Sequence, residues 1–106
     1  MELENKLYIV ALLDLYSGLL TPTKAEIMQS YYLSDIALSE IAETRNMSRQ
    51  AVYDCVQSST KKLKSFESKL QLFSLKQQLS QGLEQIANNS SDQKSKDIAK
   101  NLLKKL

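Results

Sequence analysis

Apolar residues recur along the chain at steps of three and four, the spacing of one helix face. Residues 3–16 carry Leu3, Leu7, Val10, Ala11 and Asp14 at that spacing, with further apolar residues between them. So much apolar surface suits a helix packed on two neighbours or on a second subunit. Gly18 is placed to end it. A second helix is predicted at about 22–33, with Ala25, Ile27, Met28, Tyr31 and Tyr32 as its buried stripe. Thr21 can accept from its first free N–H groups, and Pro22 suits the first helical position because it has no N–H to satisfy. Thr23 and Glu26 offer a competing start in the pattern of a capping box. A short third helix covers about 38–45, with Ala37 standing where a capping side chain is expected. Ser48 is an N-cap for the fourth.

Beyond Ser48 no helix breaker occurs before Gly82, and Gly82 only weakens a helix. Leu63, Phe66, Leu70 and Phe73 repeat at the 3-4-3 spacing of a coiled-coil seam. The stripe then shifts to Leu72, Leu75, Leu79, Leu83 and Ile86, a change of phase that a stutter or bend accommodates. ANNSSDQ at 87–93 is polar and turn-prone, and a last amphipathic helix at about 92–105 runs through Ile98, Leu102 and Leu103. The pattern divides the chain into a compact unit over 1–60 and a helical extension over 61–106. A stripe this long predicts a homodimer or partner contact through the first helix and Leu63, Phe66, Leu70 and Phe73.

The segment LSEIAETRNMSRQAVYDCV, residues 38–56, reads as two helices around a tight turn. A helix-turn-helix needs a close crossing and a three- or four-residue turn. Ala42 is small enough for the crossing, and Leu38, Ile41, Met47, Val52 and Cys55 supply the apolar interior. Asn46 tolerates the positive φ that such a turn requires. Arg49, Gln50, Tyr53, Asp54 and Gln57 lie away from Val52 on the outer face of the second helix. Arg and Gln can pair with guanine and adenine edges, and Tyr with a phosphate. Arg45 and the basic run TKKLK, with Lys61, Lys62 and Lys64, are placed to neutralise phosphates on either side. Asp54 opposes this, since an acid near the phosphate backbone repels it unless it accepts from a cytosine amine.

Charge sharpens the division. Residues 1–44 hold two basic and seven acidic residues, net −5, whereas residues 45–106 hold twelve basic and five acidic, net +7. A sign change just before Arg45 points to a polyanion or an acidic protein as partner of the second half. With one cysteine and no histidine, metal sites and Cys–His chemistry lose their usual ligands. No Gly-rich phosphate loop appears and no base stands beside a nucleophile. The expectation is a non-enzyme without cofactor. No apolar run approaches the roughly 20 residues that cross a bilayer, and MELENKLYIV lacks the basic start of a signal peptide. A cytoplasmic protein is expected.

LLTPTKAEIMQSYYLSDIALSEIAETRNMSRQAVYDCV resembles the fourth, promoter-reading region of bacterial sigma factors. It is more similar still to the YlxM family, small bacterial proteins whose genes lie beside those of the signal recognition particle. The TP start, the YYL ending the second helix, SEIAE and SRQAVYD carry the match, which with MELENK and LYSGLL covers about residues 1–75. Residues 76–106 match no familiar pattern. The resemblance implies an all-α helix-turn-helix bundle with a long C-terminal extension, acting as a regulator connected with the signal recognition particle pathway. It implies a recognition helix beginning at Ser48 with Arg49, Gln50, Tyr53 and Asp54 toward the ligand, either DNA or the particle's RNA. A protein partner in that pathway is the other implied ligand. Asn46 replaces the family's usual turn glycine, and Cys55 stands where a polar or aliphatic residue is common. The rival reading is a protein-interaction module that keeps the hairpin as a scaffold.

Overall fold

Three helices begin where a side chain can satisfy their first amides. In the computed structural model, which describes residues 2–106, Thr21 caps the second helix by accepting from the Lys24 N–H, with Pro22 in the first turn. The Ser48 hydroxyl accepts from the Ala51 N–H at 3.0 Å and starts the fourth. Asp92 starts the last by accepting from the Ser95 N–H and hydroxyl, at 3.3 and 2.7 Å. Those bonds hold the Asp92 carboxyl below its ordinary range, so the cap acts at neutral pH and is lost as acid protonates it.

The described residues form α1 (Glu2–Tyr16), α2 (Pro22–Tyr32), α3 (Leu38–Arg45), α4 (Arg49–Leu70), α5 (Leu72–Asn89) and α6 (Gln93–Lys105), with no strand among them. The fold is all-α. Gly18 does not terminate α1 in a left-handed conformation; the chain tightens into a 3-10 turn over Ser17–Leu19 instead. The capping box at Thr23 is not used, and Glu26 turns to Arg45 of α3, 2.6 Å away.

Two compact units result, residues 1–70 and 71–106. In the first, α4 touches α1, α2 and α3. Its inner stripe is Val52, Val56, Ser59 and Leu63, all buried, against Ile9, Leu12, Leu13 and Tyr16 of α1, Ile27 and Met28 of α2, and Ile41 and Ala42 of α3. Tyr16 is buried with its ring 5.9 Å from that of Phe66, and its hydroxyl donates to Glu67 Oε1 at 2.7 Å. The stripe on α1 is the opposite of the one its spacing suggested: Leu3 and Leu7 are exposed. Because α1 is apolar nearly all round, periodicity alone could not choose its inner face.

The expected unit boundary at residue 60 falls inside α4, which keeps packing on α1 for two more turns. Leu63, expected at a dimer contact, is fully buried within its own chain, whereas Leu70 is half exposed. The helix also does not run on to Gly82. It stops at Gln71, which takes φ 55°, ψ 32°, a conformation that costs a non-glycine residue roughly 1–2 kcal/mol. This single residue absorbs the change of phase between the stripe ending at Leu70 and the one starting at Leu72. Gly82 lies inside α5.

In the second unit α5 and α6 form a helical hairpin around the turn at 90–92. Ala99 is its one buried apolar residue.

Ser59 is fully buried and its hydroxyl lies 4.0 Å from Cys55 Sγ, so its small volume matters more than its polarity. Ser59→Leu is expected to destabilise the fold by about 1–3 kcal/mol through overpacking, and Ser59→Ala to stay within about 1 kcal/mol of the parent. Urea unfolding of both variants tests the assignment, and equal midpoints would refute a close crossing at this residue.

Candidate nucleic-acid interface

The hairpin is built from α3, a tight turn and α4. Asn46 ends α3 in the left-handed region, φ 58° and ψ 42°, with its N–H reaching the carbonyls of Ala42 and Glu43. The Met47 N–H bonds Ala42 C=O at 2.9 Å. Two helix-terminal carbonyls are thereby satisfied and the chain reverses within three residues. Ile41, Ala42 and Val52 seal the interior, while Leu38, Met47 and Cys55 are only half buried and form its rim. The residue that completes the interior is Val56, one helical turn beyond Val52.

The outer face of α4 carries Gln50, Asp54, Gln57 and Lys61, all exposed. Arg49, also exposed and at the first position of the helix, has no ionic partner among the described residues, and Tyr53 beside it is 42% exposed. Gln50 Nε2 donates to Asp54 Oδ1 at 2.9 Å. The pair changes the meaning of Asp54: the carboxylate fixes the Gln50 amide, whose carbonyl oxygen and second N–H stay available. Ser48 is occupied by capping. Arg45 is committed to Glu26 and ties the end of α3 to α2, so it is not a free phosphate contact.

The lysines divide. Lys61 and Lys64 continue the face of Gln50 and Gln57, at about 18–22 Å from Arg49 along the axis given 1.5 Å per residue. Lys62 lies on the other flank of α4, the flank of Cys55, where α2 approaches. There the Lys24 ammonium holds the Lys62 amine below the ordinary lysine range. Lys24 belongs to the acidic half of the chain, 38 residues from Lys62, and only the packing of α2 on α4 brings the two amines together. Two cationic side chains from different helices thus stand together at this corner.

Fold and hairpin together define a helix-turn-helix protein. The sequence profile of the UPF0122 family, described as "Putative helix-turn-helix protein, YlxM / p13 like", matches residues 3–103. The chain belongs to this family. A UPF0122 protein of Fusobacterium nucleatum is 32% identical over 103 residues, covering 97% of this chain and all of the relative. One from Clostridium botulinum is 46% identical over 70 residues, 66% of this chain and 64% of the relative. One from Oceanobacillus iheyensis is 40% identical over 94 residues, 82% and 90% of the two chains. The family match reaches past residue 75 and takes in the C-terminal hairpin, which the sequence alone left without a relative. No helix among the described residues is long and apolar enough to cross a membrane.

The turn makes a direct demand on residue 46. Asn46→Gly should keep the thermal midpoint or raise it slightly, whereas Asn46→Val should cost roughly 1–2 kcal/mol because a β-branched side chain resists positive φ. Thermal melts of both variants decide; a Val variant as stable as the parent would refute a left-handed turn residue.

Proposed function

We propose that this protein is a nucleic-acid-binding regulator that reads duplex DNA with the exposed face of α4. The observation that carries the reading is the pairing of a sealed hairpin interior with an unpartnered Arg49 and an oriented Gln50 at the leading end of α4. A major groove about 12 Å wide admits one helix. The first two turns of α4, with Arg49, Gln50, Tyr53 and Gln57, would sit at base edges. Lys61 and Lys64 lie about 18 Å or more from Arg49, which suits the phosphates flanking the groove. Lys24 and Lys62 would hold a phosphate on the α2 side. Resemblance to proteins connected with the signal recognition particle makes that particle's RNA the second ligand to test, and a regulatory role in that pathway the wider context. The rival reading, a protein-interaction module without nucleic-acid binding, draws on the apolar residues exposed along α5 and α6.

Titrations at two salt concentrations with a preferred duplex, a random duplex and particle RNA separate the readings. Arg49→Ala should cost roughly 1–3 kcal/mol on the preferred site and much less on random sequence. Lys62→Ala should weaken binding to all duplexes alike and lower the salt slope by about one unit. Asp54→Ala should tighten binding to random DNA by removing a repulsive charge, while lowering discrimination because Gln50 loses its anchor. Binding to RNA alone would move the ligand assignment to the particle. No binding to any of the three at low salt would end the nucleic-acid reading.

A further inference from the structure

The α5–α6 hairpin exposes more large apolar side chains than it buries. Leu72, Leu75, Leu79 and Ile86 of α5 and Ile98, Leu102 and Leu106 of α6 are 38–52% exposed. On a helical wheel the half-buried residues of each helix mark the direction of the other, for α5 Lys76, Ser80, Leu83 and Ala87. The exposed apolar residues of both are displaced to the same side of the hairpin. The unit is thus a two-helix layer with one apolar face, and contiguous patches of this kind mark interaction surfaces.

The spacing along α5 says what fits it. Leu72, Leu75, Leu79, Leu83 and Ile86 follow intervals of three, four, four and three, which read the same in both directions from Leu79. They lie within a stripe roughly 80° wide at 100° per residue. We infer that a second copy of this hairpin covers this face, its α5 antiparallel to the first about a two-fold axis through Leu79, forming a four-helix bundle. In that register Leu79 meets Leu79, Leu75 meets Leu83, and Leu72 meets Ile86. A two-fold contact requires such a self-complementary patch.

Charge leaves the face apolar. Lys76 and Glu84 are the only charged residues of α5. At 100° per residue Lys76 sits about 60° and Glu84 about 140° round the helix from Leu79, so neither places a charge at the centre of the contact. The inference stands independently of any nucleic-acid ligand.

Light scattering on the full chain should give about twice the 12.0 kDa of one chain at high micromolar concentration. Leu79→Glu should halve that mass with helical circular dichroism retained, since residue 79 is a surface position of its own unit. Leu75→Glu should weaken the dimer several-fold and Leu75→Glu with Leu83→Lys, which meet across the two-fold in this register, should restore part of it, a rescue that general destabilisation cannot give. In a Cys55→Ser background, Leu79→Cys should cross-link between copies under mild oxidation and Gln77→Cys should not, which keeps the test decisive if Leu79→Glu loses helix. A monomeric parent protein overturns the proposal. So does a dimer dissociated by Leu7→Glu on α1 but indifferent to Leu79→Glu, or a charge pair that fails to restore association.

Discussion

The first unit depends on the inner stripe of α4. Val52, Val56, Ser59 and Leu63 are four consecutive contacts on one face, and each is buried. Three helices are assembled on that surface, and α2 also packs on α1 and α3 beside it. Because all its buried volume sits on one side, the helix is free to present its other side as a continuous polar surface. The hydrophobic effect fixes the orientation of α4, and the outward chemistry follows from that orientation. A polar substitution at Val52 or Leu63 would therefore disturb the packing of the unit and the display of Arg49 together.

The leading end of α4 is held by smaller interactions. Asn46 sets the reversal, Ser48 starts the helix, and the Arg45–Glu26 pair fixes the end of α3 against α2. An exposed ion pair contributes little stability, so its value here is geometric: it limits the play between the helix before the turn and its neighbour. Gln50 and Asp54 act in the same way on the outer face, where two flexible side chains are held in a fixed arrangement before any ligand arrives.

Much of this was legible in the sequence because it rests on local chemistry. Thr21, Pro22, Asn46 and Ser48 mark their boundaries through backbone requirements that few residues meet. What escaped reading depended on tertiary packing. Ser59 is buried for its size, which a polar label conceals, and Val56 belongs to the same 4-3-4 run. The buried side of α1 is not legible from spacing because both sides are apolar. Gln71 breaks a helix without being Gly, Asn or Pro, so no local rule flags it, although the phase shift around it did. Leu63 fits an intermolecular seam when its stripe is followed toward Phe73, and the inner core when it is followed back to Val52. Lys24 became visible only once α2 lay against α4.

An anion held between Lys24 and Lys62 would bind with a linked change in the protonation of Lys62. Two ammonium groups held together make one of them easier to deprotonate, so in alkaline solution part of the Lys62 population is neutral. An anion settling between them reverses that bias and draws a proton from the buffer. Any polyanion using this corner would bind with proton uptake, and its affinity would fall as pH rises through the depressed Lys62 range. The heat of such binding would then vary with the ionisation enthalpy of the buffer, as it does wherever binding moves a proton.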